Sequence, residues 1–417
     1  MKAMPAAIAA VLALSTFPLL AQAPRALDLS RDERAALTAL QAAAAGMDRG
    51  AQDAALAAAR ASARGAAARY ALAHYQIHIG RARGDAAMHA QAVDAMVDSG
   101  LATPAELPAL LAHQAARAYG AGDTGRTDRL LARIVELQPN NPVALADYGH
   151  FKSRINSRHT AAADRAAAVS LFQRALAASE TAGRPAPQAW YQRALAIAYD
   201  TTRTPLSSPA IAAQTIVFAR ALVAAYPSPV NWRDAMLAYR DLNAADPTLD
   251  LDVRRLLRAS QALTGERDYL DQAEAMNRAG LVGEAKAVLD EGLSRNMLEA
   301  AKPVVAQLVA ATNRRLAADR AGLPRLRASA QAAATGAAAR SAADAHFGYG
   351  QYAEAAELYR LALLKGGEDA NLVNVRLGAA LALAGRRPEA ESALGAVAGP
   401  RADLAGFWLL WLARRPA

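Results

Sequence analysis

Residues 337–397 read AAARSAADAHFGYGQYAEAAELYRLALLKGGEDANLVNVRLGAALALAGRRPEAESALGAV, and within them one helical hairpin is written twice. Gly350 is followed by Ala355, Tyr359 and Ala362, five, nine and twelve residues on. Gly385 is followed at the same intervals by Ala390, Leu394 and Val397, thirty-five residues later. Small and large apolar residues on one helical stripe, opened by a glycine turn and repeated at about 34 residues, mark stacked two-helix units. Two helices of about twelve residues, a tight turn and a linker fill that interval, and each pair leaves an apolar face that only the next pair covers.

Alanine where two helices cross lets their backbones approach to the short end of the roughly 8–10 Å range, and the larger residues fill the gap to the next unit. On these residues the stretch resembles the tetratricopeptide repeat family, in which Gly-x-aromatic opens the second helix and Ala, aromatic and Ala follow. Gly350-Gln351-Tyr352 carries that pattern, and Gly385 has Leu377-Gly378 upstream. The resemblance implies an all-α fold, a right-handed α-solenoid of antiparallel hairpins forming a superhelix. It also implies a concave groove, lined by the first helix of each hairpin, that holds a peptide or protein segment.

Working outward, the pattern recurs weakly after Gly50, with Ala55, Ala59 and Ser62. Gly84-Asp85 opens a helix carrying His89, Val93 and Met96, and Gly122-Asp123 opens one carrying Thr127, Leu131 and Ile134 that stops at Pro139. Gly280 has Ala285, Leu289 and Gly292 behind it. Between Val143 and Leu263 the period slips: the mate of the helix at Leu145–Gly149 arrives late, which predicts an insertion within Ser153–Thr160. Helices are expected at Trp190–Asp200 and Ala210–Tyr226, joined by a Pro- and Ser-rich loop at 203–209, with a bend or subdomain boundary at Tyr226–Pro229. Further helices are expected at Trp232–Leu242 and Leu251–Leu263. A unit without a glycine turn, built from Pro303–Ala321 and Arg325–Ala334, fills the interval between Gly280 and Gly350. The domain reading is therefore a signal peptide at 1–23, repeats at 24–150, degenerate hairpins at 151–265, repeats at 266–401 and a capping helix at 402–417. That last helix, with Phe407, Trp408 and Trp411, also has a membrane-surface reading.

Composition agrees with thin helical layers. Hydrophobic residues are 53% of the 417, but many are alanine and aromatics are only 5%. Alanine favours helix and builds no thick core. Lys2, the apolar run Ala6–Leu20 and Ala21-Gln22-Ala23 read as a cleavable export signal, too short for the roughly 20 residues of a spanning helix. The chain has no cysteine, which excludes disulfides, a cysteine-type zinc site and attachment of lipid to an amino-terminal cysteine. The expected location is periplasmic or secreted, not as a lipoprotein.

By the positions that line the groove in the resembled family, the candidate partner-binding residues are His74, His78, Arg81, Tyr119, Glu274, Asn277, Arg340, Asp344 and Phe347, with Leu270 beside them. Val375, Ala379 and Ala382 look like a surface covered by the end cap. Between Arg295 and Arg340 eight basic residues face only Glu299 and Asp319. That patch, centred on Arg314, Arg315, Arg320, Arg325 and Arg327, could meet an acidic protein, an anionic envelope surface or an acidic polymer. It has no aromatic residues for base stacking, so no nucleic acid is expected.

His74 and His78 have the spacing of a two-imidazole metal chelate, but no carboxylate joins them and no metal is expected. Gly120-Ala-Gly122-Asp-Thr-Gly125 fits a dinucleotide fingerprint as a string, yet a helical pattern rather than a strand precedes it, and no cofactor is expected. There is no His-Glu-x-x-His, no Gly-x-Ser-x-Gly and no phosphate loop. The expected function is an exported, non-enzymatic scaffold for envelope assembly or secretion. The alternative is an α-helical cell-wall or glycan hydrolase.

Overall fold

The computed structural model describes residues 27–154, 162–202 and 208–415. The expected leader, residues 155–160 of the expected insertion and residues 203–207 of the expected loop lie outside them. Among the described residues there are twenty-one α-helices, one 3₁₀ turn and no strand. Consecutive helices pair antiparallel and successive pairs stack, so the fold is an all-α solenoid.

The chain divides into two compact units, residues 1–186 and 187–417. The first contains α1 (Arg31–Ala45), α2 (Arg49–Ser62), α3 (Ala66–Arg83), α4 (Ala86–Asp98), α5 (Leu107–Gly120), α6 (Thr124–Leu137), α7 (Pro142–Arg154) and α8 (Ala162–Thr181). The second contains α9 (Gln188–Thr202), α10 (Pro209–Ala225), α11 (Pro229–Leu242), α12 (Pro247–Ala259), α13 (Glu266–Arg278), α14 (Val282–Ser294), α15 (Pro303–Ala321), α16 (Leu323–Ala332), α17 (Ala337–Gly348), α18 (Tyr352–Lys365), α19 (Ala370–Leu383), α20 (Arg387–Gly395) and, after the 3₁₀ turn Gly399–Arg401, α21 (Ala402–Ala413). Tyr226–Pro229, where the sequence suggests a bend or a subdomain boundary, is the turn between α10 and α11 inside the second unit.

The turns follow from backbone chemistry. Gly84, Gly122, Gly280, Gly350 and Gly385 all sit at positive φ, between 68° and 77°, where a side chain is disfavoured. After two of them an aspartate caps the next helix: Asp85 accepts from Met88 N and Asp123 from Arg126 N, each at 2.9 Å. A Cβ on Gly350 would meet nothing within 4 Å. Gly350→Ala should therefore cost only the backbone penalty of about 1–2 kcal/mol, read by chemical denaturation. Gly378 serves a different purpose, since a Cβ there would lie 2.4 Å from Leu394 Cγ where α19 crosses α20.

In the first unit each hairpin is tied to its predecessor by a cation at the end of its first helix. Arg83 reaches Asp53 at 2.6 Å, Arg117 reaches Asp94 at 2.9 Å and Lys152 reaches Asp128 at 2.7 Å. These cations stand 34 and 35 residues apart, a second copy of the repeat period written in charge. Each rung has an exposed or half-buried partner and stabilises by about 1 kcal/mol at most. The register comes instead from thin apolar layers, such as Leu37, Leu40, Leu56, Ala59, Leu72 and Ile79.

The second unit closes on itself. Phe407 of α21 packs edge-on against Trp232 and Tyr239, and Trp411 donates to Ala259 O at 3.1 Å. Tyr239 OH donates to Pro400 O at 3.2 Å. Phe407 and Trp408 are fully buried, so the apolar face of α21 is core and not a membrane surface. Val375, Ala379 and Ala382 are buried on α19, against which α21 packs. No described helix is long and apolar enough to cross a membrane.

Candidate functional site: an ionic centre and a basic helix pair

In the second unit, Arg340, Asp344 and Phe347 come together on α17, but in a buried ionic centre and not on an open groove. Asp344 Oδ1 accepts from Arg255 Nη1 at 3.1 Å and Tyr359 OH at 2.6 Å. Its Oδ2 accepts from Arg376 Nη1 at 2.7 Å and Arg340 Nη1 at 3.3 Å. Arg255 also holds Glu284 through Nε and Nη2, at 3.0 to 3.2 Å, and its guanidinium lies 4.2 Å from the Phe347 ring centroid. Arg376 Nε donates to Asp252 Oδ1 at 2.8 Å, and Arg401 Nη1 approaches Asp252 Oδ2 at 3.6 Å.

The carboxylates of Asp252, Glu284 and Asp344 balance the guanidiniums of Arg255, Arg376 and Arg401, each of these six side chains 7% exposed or less, and the half-buried Arg340 joins from the edge. Burial pushes Asp344 up, but the adjacent Arg376 and Arg255 outweigh it and hold the carboxyl below its usual range. At Asp252 burial wins over the same two arginines, and the carboxyl is raised. Helices α12, α14, α17 and α19 thus converge where the resemblance implies a trough. The sequence reading missed Arg255, Arg376, Glu284 and Asp252. The available signal was an arginine inside an apolar run, as in Val373-Asn-Val-Arg376-Leu-Gly.

Asn277 is also covered. It donates to Thr312 Oγ1 at 2.8 Å on α15, and its backbone carbonyl accepts from Arg315. Glu274 is half-buried on α13.

The basic patch lies on α15 and α16. Only Val305 and Thr312 of α15, and Leu323 and Ala330 of α16, are buried. The helices flanking this pair, α14 and α17, pack directly on each other: a Cβ on Gly348 would lie 2.9 Å from Glu284 N. Between them α15 packs on α14 and α16 on α17, while α15 and α16 scarcely touch each other. Arg314, Arg315, Arg320, Arg325 and Arg327 are all exposed, and none forms an ion pair among the described residues. Arg320 lies 6.0 Å from the Tyr349 ring, whose hydroxyl donates to Asp319 at 2.6 Å.

In the first unit, His74 and His78 are half-buried on α3, Arg81 is exposed at its end, and Tyr119 packs edge-on against Phe151. Burial lowers His74, against the pull of Glu106. His89 and His113 meet edge-on at 4.9 Å, and burial, with His89 and Arg81 nearby, pushes His113 down to about 4. Among the described residues no group of three or more His, Asp or Glu is placed to hold a metal ion. Gly120–Gly125 is the α5–α6 turn, with Gly122 at φ 77°.

Asp147 on α7 has no hydrogen bond among the described residues, and burial pushes its carboxyl up to about 7. Its folded value is raised, so its contribution is full below the ordinary carboxylate range of about 3.9 and is lost as pH rises through about 7. Asp147→Asn should therefore gain on the wild type between pH 4 and pH 8, by up to about 4 kcal/mol in denaturation midpoints converted to free energy. His113 works oppositely, its folded value being lowered: stability is lost as pH falls from about 6.5 towards about 4.

No family model matches the chain, and no curated protein matches it. Among solved structures, a monomeric mutant of IFIT1 with Gppp-AAAA aligns over 90% of this chain and 76% of its own, at 12% identity and a TM-score of 0.14. That score describes no common superposition, and the helical-repeat architecture stands on the chain's own hairpins.

Proposed function

We propose that the chain is an exported, non-enzymatic helical-repeat scaffold that holds an acidic polypeptide segment, with the α15–α16 pair as its main contact. One observation carries this reading: five exposed arginines without carboxylate partners stand on α15 and α16, against the single acid Asp319 between residues 303 and 332. Elsewhere in the same unit Arg233, Arg255, Arg258, Arg340, Arg376 and Arg386 each hold a carboxylate of the chain. A guanidinium fork left open at the surface offers a carboxylate two parallel hydrogen bonds and draws acidic partners from a distance.

The same scaffold presents half-buried His74 and His78, with Arg81, on the first-helix face of α3, where an extended segment finds donors and apolar surface together. Export is supported by Lys2, the apolar run Ala6–Leu20 and the small residues of Ala21-Gln22-Ala23. Titration of a labelled oligoglutamate peptide, with an uncharged peptide of equal length as control, tests the reading. Specific, salt-sensitive binding of the acidic peptide is expected, and equal binding of both peptides would refute it.

A further inference from the structure

Where α11, α12 and α13 meet, the second unit holds a cavity of about 190 Å³. Four arginines line it, and they are not equivalent. Arg233 is satisfied, since its Nε and Nη2 hold both oxygens of Asp268 at 3.0 and 2.9 Å. Arg267 lies at the rim, 3.6 Å from Asp271 and almost fully exposed. Arg240 and Arg254 have their nearest carboxylates, Asp250 and Asp241, outside the lining of the cavity. Arg254 reaches Asp250 at 2.7 Å through Nε alone, and its terminal nitrogens make no hydrogen bond among the described residues. Arg240 comes no closer than 3.8 Å to Asp241 and 3.9 Å to Asp250, beyond hydrogen-bond reach.

The lining itself holds four guanidiniums against two carboxylates, Asp268 and Asp271, and the guanidiniums of Arg240 and Arg254 keep open donors. The remaining wall is apolar, built from Leu237 with the buried Leu257 and Leu263. Gln272, 1% exposed, donates to Arg254 O and so fixes the backbone that carries Arg254, while its own Oε1 is buried without a partner. Half-buried positive charge beside leucine is costly unless an anion completes it. The volume falls below the roughly 300 Å³ at the small end of ligand pockets, so the occupant is of fragment size.

We infer that this cavity binds a small oxyanion, a carboxylate or phosphate group on a short apolar stem, through Arg240 and Arg254 with the stem on Leu257 and Leu263. The site is separate from the basic helix pair.

Isothermal titration of the full chain with hexanoate, hexyl phosphate and hexylammonium tests it, with inorganic phosphate as the stemless probe. At least one hexyl anion should bind at about 1 mM or tighter, more strongly than inorganic phosphate. The ratio of hexanoate to hexyl phosphate affinity identifies the head group. Arg240→Gln breaks no hydrogen bond, so the variant should melt as the wild type does and bind at least about tenfold more weakly. Arg240→Lys should retain part of the affinity. Arg314→Glu should leave anion binding unchanged, and this separates failure here from failure of the acidic-segment reading. Binding of hexylammonium as tightly as the anions, wild-type affinity in Arg240→Gln, or no anion binding would each overturn the assignment.

Discussion

Replacing Asp344 with alanine is expected to remove about 3–5 kcal/mol from the second unit, the cost of breaking a buried ion pair from one side. Asp344 accepts from Arg255, Arg376, Tyr359 and Arg340, and its side chain is 7% exposed. Without it, Arg255 and Arg376 keep Glu284 and Asp252, but two buried guanidiniums face each other across a vacated acceptor. Chemical denaturation of the full chain reads the loss. Arg360→Ala is the control, because Arg360 pairs with half- or fully exposed Glu357 and Glu389 and should cost about 1 kcal/mol or less. A loss at Asp344 no larger than the control's would show that the centre contributes nothing net. The pH dependence has a defined sign: the folded carboxyl is depressed, so its contribution is present above the ordinary carboxylate range and lost as pH falls through the folded value. The gap between wild type and variant should therefore narrow in acid.

The second large effect is expected from reversing charge on the basic helix pair. In the variant Arg314→Glu, Arg315→Glu, Arg325→Glu, Arg327→Glu all four positions are exposed, so folding should be preserved. Four exposed arginine–carboxylate contacts at about 0.5–1 kcal/mol each amount to roughly 30- to 700-fold in affinity for the oligoglutamate peptide. Binding by the wild type should also weaken steeply as salt shortens the Debye length below about 10 Å. Unchanged affinity in the variant would remove α15–α16 as the contact. Tighter, equally charge-dependent binding of anionic vesicles or of an oligonucleotide would replace the acidic polypeptide with another class of partner.

Much of the architecture was legible in the chain. The glycine turns at Gly84, Gly122, Gly280, Gly350 and Gly385 are where the hairpins reverse, because a positive φ is a local requirement that only the residue itself can meet. The boundaries between Val143 and Leu263 were less legible. The helix expected at Leu251–Leu263 runs from Pro247 to Ala259, because proline at its first turn and the Asp246 cap set its start ahead of the apolar stripe. The cationic rungs Arg83, Arg117 and Lys152 carry the period as clearly as the alanines do, but a pattern sought only in apolar residues passes over them.

The candidate site divides along the same line. Arg340, Asp344 and Phe347 stand at the groove positions of the resembled family, and they share one helix face because spacing along a helix is local geometry. What that face meets is not local: Arg376 joins Asp252 across 124 positions, and Trp411 reaches Ala259 across 152. Residue order alone determined that this chain is a succession of short helical hairpins with their small residues at the crossings. Only the tertiary structure decided that the second unit curls until its inner side fills with salt bridges, while the arginines of α15 and α16 stay bare. The reason is that helix and turn depend on interactions a few residues apart, whereas curvature accumulates over many small packing offsets and no single residue encodes it.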